Sequence, residues 1–440
     1  MLDTAAETRF EPYWWEDARP SAGTQADPPP EADVVVVGSG YTGMTCAIEL
    51  ARAGTDVVVI EAQAIGEGAS SRAAGFLSGR TGVSKQIDLV ATVGEDRARA
   101  ILTEADDAYE DLKDRVRTEG IDCDLQECGR YVAATTAKSY AKIARKMAEY
   151  AVDAPPGTLR MVPPDEQDAF VRTPLYKGGM EMKDASTLHP AKYHAGLRRL
   201  AEEAGAKLVS HTKMEGVVRE GDGFRVITSR GDVRARHVAL GTNGYTGAAT
   251  PWHQRRMIPI SSTIVATEAL SPDLVRHLLP GACPVIDTRR VLEFARPSPD
   301  FTRVLFGGRA SFLPVSDETK LAILKRRIGV MFPVLADVRL SHVWGGWMGF
   351  TFDFLPKLGV QDGVHYALGC NGGSGVVMMS WLGRRMGRAI LGADNRASAY
   401  EGLTFKTQPF YGGKPWFLPF VGNWYRLRDW MDAKADRFGA

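Results

Sequence analysis

Asp33-Val34-Val35-Val36-Val37-Gly38-Ser39-Gly40-Tyr41-Thr42-Gly43, followed by Val57-Val58-Val59-Ile60-Glu61, decides the fold. Four successive valines read as a strand buried on both faces of a parallel sheet. Gly38 permits the tight turn, Gly40 lets the backbone approach a pyrophosphate, and Gly43 lets helix and strand pack closely. A helix expected from about Thr42 to Ala53 aims its free N–H groups at the phosphates. Glu61, 18 residues beyond Gly43, is placed to accept hydrogen bonds from ribose hydroxyls. The stretch is a dinucleotide site, and NAD and FAD both fit it.

The rest of the chain narrows the class. Its 440 residues allow two or three domains. A hydrophobic share of 44% and a charged share of 24% are those of a globular protein. A net charge of +1 gives no reason to expect a nucleic-acid partner. No uninterrupted apolar run is long enough to span a bilayer, so no transmembrane helix is expected. Met1 to Pro12 lacks the basic and apolar regions of a signal peptide. The cysteines (Cys46, Cys123, Cys128, Cys283 and Cys370) are odd in number and scattered. They read as reduced thiols of a cytoplasmic protein, and no metal site is expected.

Residues 1–32 form a leader whose aromatic knot, Tyr13-Trp14-Trp15, is expected to pack on the body. A nucleotide-binding domain is expected from three separate segments, 33–90, 185–250 and 345–395. Helical patterns fill Glu95 to Glu119, Ser139 to Tyr150 and Pro190 to Ala204. Ile121 to Leu125 and Gly129 to Ala133 look like strands. His237 to Gly244 reads as a buried strand entering a glycine loop. Val291 to Arg296 and Arg303 to Arg309 face each other across Pro297-Ser298-Pro299-Asp300 as a hairpin. Segments 91–184 and 251–344 therefore make an inserted substrate domain, and 396–440 an aromatic tail with a helix over Trp424 to Phe438. The fold class is a discontinuous Rossmann-type α/β domain carrying an α+β insert with an antiparallel sheet.

Two glycine loops favour FAD over a nicotinamide cofactor. Gly66 to Gly75 follows the acid, and its small residues with one arginine suit a loop that wraps a second phosphate beside a flat ring. Gly369-Cys370-Asn371-Gly372-Gly373-Ser374-Gly375 opens a helix from Val376 to Ile390, whose positive end suits negative charge on a reduced flavin. A plain surface loop and close helix packing are the respective alternatives.

On these motifs the chain resembles the D-amino-acid-oxidase-like FAD-dependent oxidoreductases, a family that includes glycine oxidase and sarcosine oxidase. Within it the likeness is greatest to the γ-glutamylputrescine oxidase-like amine oxidases. Further carriers are Ile121-Asp122-Cys123-Asp124, Leu188 to Tyr193, Thr242-Asn243-Gly244-Tyr245-Thr246 and Phe306-Gly307-Gly308-Arg309. The resemblance implies non-covalent FAD held by Gly38, Gly40, Tyr41, Thr42, Gly43, Glu61, Ala62, Gly68, Ala69, Ser70, Ser71, Arg72, Ala74 and Gly75. It adds Met214 at the adenine, Thr242 and Asn243 beneath the pyrophosphate, and Gly372, Gly373, Ser374, Gly375 and Val376 at the ring. The Gly369–Gly375 loop departs from the subgroup's pattern: it has no histidine and is one residue longer.

The implied activity is oxidation of the C–N bond of a small amine or amino acid, with O2 or another acceptor taking the electrons. An aromatic wall suits hydride transfer because it excludes water. Trp344, Trp347, Phe350 and Phe352 are its candidates. Trp347 is the first choice for the catalytic substrate wall, and core aromatics are the alternative. Arg309 is the second catalytic candidate, holding a substrate anion or assisting oxygen chemistry, with an exposed edge-strand arginine as the alternative. His189 is read as a helix start and Asp353 as a turn carboxylate. The tail is expected to pack on the body without membrane contact, and a homodimer is compatible with it. A nicotinamide-dependent dehydrogenase, a flavin hydroxylase and an inactive flavoprotein subunit remain the rival readings.

Overall fold

The computed structural model describes residues 8–24, 26–83, 87–151, 156–313, 315–372, 375–393 and 396–437. Two large sheets meet across a deep cavity. The first runs in the order Lys357–Gln361, Val364–Leu368, Val233–Leu240, Glu31–Val37, Val57–Ile60, Lys207–Val209. Four of the five pairings in this order are parallel, all but the first, and Val34 lies beside both Val57 and His237. The four valines are buried, as a strand covered on both faces requires. An antiparallel ribbon, Met214–Glu220 with Gly223–Thr228, extends from Val233–Leu240.

Helix Tyr41–Arg52 follows the glycine turn and packs on helix Gly375–Ile390 at backbone distance. A Cβ at Gly383 would lie 2.2 Å from the Thr42 carbonyl oxygen. This contact sets the N-termini of both helices against one cavity, although over 300 residues separate them.

The second sheet runs Leu340–Phe350, Ile258–Thr267, Val304–Gly308, Glu293–Pro297, Val285–Asp287, Arg130–Ala133, Gly179–Met182, Leu159–Val162. The expected hairpin is present, with Glu293 opposite Gly308. Two expected boundaries shift. Leu340–Phe350 pairs along its length with Ile258–Thr267, so residues 345–350 belong to the second sheet rather than to the nucleotide segment 345–395. Helix Glu95–Thr118 buries Ala105, Ala108 and Leu112 in one core with Val377 and Leu382 of the terminal nucleotide helix. An amphipathic pattern announces a buried face without naming what covers it. Residues 121–125 form no strand: the Cys123 carbonyl accepts the His189 N–H at 2.7 Å, outside either sheet.

The leader packs on the body. Trp14 is buried and donates its indole N–H to the Ala73 carbonyl at 2.9 Å. His189 caps helix Pro190–Glu203, its Nδ1 accepting the Lys192 N–H at 3.1 Å. All five cysteines are free.

Three buried histidines make stability pH-dependent. Burial pushes His189, His253 and His342 down from 6.5 to about 4. Asp17, 3.3 Å from His189, opposes this shift, but it is half-exposed and burial dominates. The unfolded chain takes up these protons as pH falls through 6.5, while the folded chain stays neutral until about 4. Stability is therefore full above pH 6.5 and is lost progressively below it, each histidine costing on the order of 2 kcal/mol at about pH 5. Unfolding midpoints are expected to be level from pH 8 to 7 and to fall steeply toward pH 5. A level profile down to pH 5 refutes this account.

Candidate functional site

The cavity has a volume of about 960 Å3, near the upper end of the range for ligand pockets. The first glycine turn, the Gly68–Gly75 loop, the Gly241–Thr250 segment, strand Leu340–Phe350 and the Cys370–Val376 segment all contribute to its wall.

At the nucleotide end, Gly38 has φ +96° and Gly40 faces the second loop: a Cβ on Gly40 would sit 2.9 Å from Ser70 Oγ. Tyr41 N–H donates to Ser70 Oγ at 3.0 Å, and the Tyr41 hydroxyl to the Ser70 carbonyl at 2.6 Å, locking the two loops together. Glu61 Oε2 accepts Ser39 N–H at 2.9 Å and Ser39 Oγ–H at 2.7 Å. That pair fixes the carboxylate at the strand end, where Gln63 N–H reaches Oε1 at 3.1 Å. The pattern fits a cofactor with a pyrophosphate and a ribose. Gly38, Gly40, Tyr41, Thr42, Glu61, Ala62, Gly68, Ala69, Ser70, Arg72, Ala74, Gly75, Met214, Thr242, Asn243, Gly372, Gly375 and Val376 all line the cavity, as do Trp347 and Arg309.

Two expected contacts lie behind the wall. Gly43 supports the turn from beneath, its ideal Cβ only 1.8 Å from the Gly38 carbonyl oxygen. Ser71, expected among the cofactor contacts, is buried, donates to the Gly66 carbonyl at 2.6 Å and accepts the Trp15 indole N–H at 3.0 Å, so its hydroxyl braces the loop. Its helical position turns the hydroxyl away from Ser70's side of the loop. Gly373 and Ser374 lie outside the described residues.

The described part of the loop before the last helix, Gly369 to Gly372, is pinned by Asn243 and Thr351. Asn243 Oδ1 accepts Gly369 N–H at 3.3 Å. Asn371 accepts Thr351 N–H at 2.8 Å and donates to the Gly369 carbonyl at 2.8 Å. Asp353, read from sequence as a turn carboxylate, accepts Thr351 Oγ–H at 3.1 Å and pairs with buried Lys357 at 2.7 Å. Cys370 sits in the same wall, where burial pushes its thiol up.

Strand Leu340–Phe350 closes the other end. Its glycines let it approach: a Cβ on Gly349 would fall 2.0 Å from Asn243 Oδ1. Trp347 lines the cavity yet is 48% exposed, so it stands at the mouth. Phe350 also lines it, whereas Trp344 is buried and donates to the Arg72 carbonyl at 2.9 Å. Phe352 packs on Tyr411 and Phe417 instead. Arg72 is a strut: it donates to the carbonyls of Glu67 at 2.7 Å and Gly345 at 3.3 Å, and stacks 4.4 Å over Trp15.

Arg309 differs from every other arginine of the wall. Its guanidinium lies between the rings of Phe312 and Phe350, at 5.2 and 5.8 Å. Burial is the main influence on it and pulls its pKa down. Among the described residues it has no ion pair and no hydrogen bond from its guanidinium. Sequence reasoning missed Arg290, Ser262 and Tyr245, which also line the cavity. Tyr245 stood inside a motif already singled out. Arg290 carried no local signal, because its place is set by Asp429 and Asp432 of helix Leu418–Arg437, at 2.9 and 2.8 Å.

The model of the FAD dependent oxidoreductase family (DAO) matches residues 33–389, and the chain belongs to that family. It is 30% identical to "Probable oxidoreductase OrdL" of Rhizobium meliloti (strain 1021), across 91% of this chain and 92% of that one. It is 29% identical to gamma-glutamylputrescine oxidoreductase of Escherichia coli (strain K12), across 90% and 92%. The solved structure of glycine oxidase from Geobacillus kaustophilus shares the fold, with a TM-score of 0.70 at 20% identity, covering 87% of this chain and all of that one. The protein is thus an FAD-dependent oxidoreductase with a Rossmann-type nucleotide domain.

Proposed function

We propose that this enzyme oxidises the C–N bond of a small primary or secondary amino acid, or of an amine bearing a carboxylate. The imine product hydrolyses in water, and O2 takes up the electrons with release of H2O2. The observation that carries this reading is Arg309, a half-buried cation in the cavity wall without a carboxylate partner among the described residues. A charge drawn partly out of water and left unpaired is costly, and a substrate carboxylate offsets that cost. The relatives named for oxidising glycine and γ-glutamylputrescine support a substrate that carries both an amine and a carboxylate.

FAD, when bound, accepts a hydride equivalent from the carbon next to nitrogen. The chain's own residues do the rest. Arg309 orients the substrate through its anion, a bidentate contact that fixes direction as well as position. Trp347 and Phe350 form the apolar wall that keeps water from the reacting carbon. The positive end of helix Gly375–Ile390 opens on the cavity and would favour negative charge on a flavin held there. The FAD is held without a covalent bond in this reading: Cys370, the thiol in that wall, is only partly exposed and its pKa is raised by burial, and thiolate is the reactive form.

Anaerobic addition of an amine and amino-acid panel tests the proposal. Amino acids are expected to bleach the yellow holoenzyme, and acid precipitation to release the flavin. Peroxide should then appear in air. No bleaching by any amine or amino acid overturns the reading. Bleaching without peroxide assigns the electrons to a quinone or a partner protein instead of O2.

A further inference from the structure

Helix Leu418–Arg437 has two faces of opposite chemistry. Its three acidic side chains all turn inward and are satisfied by the body. Asp429 accepts the N–H groups of Arg290 and Val291, both at 3.1 Å. Asp432 pairs with Arg290 at 2.8 Å and with Lys138 at 3.5 Å, and Asp436 accepts Ala137 N–H at 2.8 Å. Packing on the body, expected from sequence, accounts for this face alone.

The outer face carries Phe420, Trp424, Leu427, Trp430 and Met431, all exposed, with Phe420 at 72% and Trp430 at 58%. Their spacing places them on one stripe of a helix. The charges interleaved with them are cations: Arg428 stacks on Trp424 at 5.6 Å and Lys434 on Trp430 at 5.1 Å. No helix among the described residues is long and apolar enough to cross a membrane. A helix with aromatic and aliphatic residues outward, flanked by basic residues and stripped of outward acids, is built to lie in a lipid interface.

We infer that this face docks the enzyme on an anionic lipid surface, with the helix lying in the plane of the headgroups. Charge decides the occupant. The cations attract a negative leaflet, whereas a second copy of the same face would bring like charges together. The inference does not depend on the substrate, because the outer face touches none of the cavity.

Flotation of the holoenzyme with vesicles tests it. Vesicles of phosphatidylcholine with phosphatidylglycerol are expected to carry the protein upward at low salt, with a blue shift of tryptophan emission. Phosphatidylcholine alone should carry far less, and added salt should release the protein. The double variant R428E/K434E is expected to bind anionic vesicles at least about tenfold more weakly, with its flavin content unchanged. The milder R428Q/K434Q variant should fall between. Three results overturn the inference: no flotation with anionic vesicles, equal flotation of native and charge-reversed protein, or a concentration-dependent dimer abolished by W424S/L427S. The last assigns the face to a second copy.

Discussion

Replacing Gly43 with valine is expected to yield a destabilised protein that leaves purification without its yellow colour. The ideal Cβ at this position falls 1.8 Å from the Gly38 carbonyl oxygen and 3.3 Å from Val36 Cγ1. The first of these is backbone, so no side-chain rotation relieves it. Gly38 cannot move aside, because its carbonyl belongs to a turn whose N–H is held by the Ile60 carbonyl at 2.9 Å. The helix must therefore tilt away from the strand. Its N-terminus then leaves the phosphate position, and Gly383 loses its seat on the Thr42 carbonyl. Overpacking in a rigid core costs about 1–3 kcal/mol, occasionally more, so FAD affinity should fall by roughly fivefold to over a hundredfold. Gly412→Ala serves as the control, since no atom lies within 4 Å of its added Cβ. Flavin absorbance per chain and FAD titration of the apoprotein read the outcome. Full FAD affinity in Gly43→Val would show that the turn is not the phosphate cradle.

The second large effect belongs to Arg309. Arg309→Met is expected to lower kcat/KM for amino acids by roughly 30-fold to several thousand-fold, the range that follows from losing about 2–5 kcal/mol of a desolvated charge contact. The loss should be selective. A comparable amine without a carboxylate never used the guanidinium, so its reduction rate should change by less than about threefold. Arg309→Lys should recover part of the loss, because a point charge keeps the attraction but not the two-pronged geometry. The substrate-free enzyme supplies a second readout. Removing a half-buried, unpaired cation relieves a cost, so the unfolding midpoint of Arg309→Met should equal or exceed that of the native enzyme. Equal losses for amines and amino acids would remove Arg309 from substrate recognition.

Legibility differed between the two sheets for a physical reason. Parallel strands covered on both faces must be apolar throughout, so Val34–Val37 and Val57–Ile60 declare themselves locally. The glycines at 38 and 40 answer to a turn and a close approach, and these too are local demands. The substrate wall is different. Arg290 and Ser262 reach the cavity through antiparallel pairings and a distant helix, and neither residue is unusual among its neighbours in sequence. Gly345, Gly346 and Gly349 break the strand pattern that their own pairing with residues 258–267 requires. Asn243 comes too close for a side chain at Gly349, and the Ser262 carbonyl oxygen of the paired strand too close at Gly345, while beside Gly346 the Ala69–Arg72 loop stands at ordinary contact distance. Helix Glu95–Thr118 showed its amphipathic face plainly, but the partner that covers it is specified by residues more than 250 positions later. Ser71 shares a glycine loop with residues that line the cavity, but the helical turn of Ala69–Arg72 sends its hydroxyl to Gly66 and Trp15 instead.

The contact between helix Tyr41–Arg52 and helix Gly375–Ile390 also dictates an order of events during synthesis. The phosphate turn emerges early, but the wall facing it is translated more than 300 residues later. Helix Leu418–Arg437, which holds Arg290 in the cavity wall, comes later still. The cavity can assemble only once these later segments have been made. Cofactor capture therefore waits on them, and a chain interrupted before residue 375 carries the glycine signature without the site it announces.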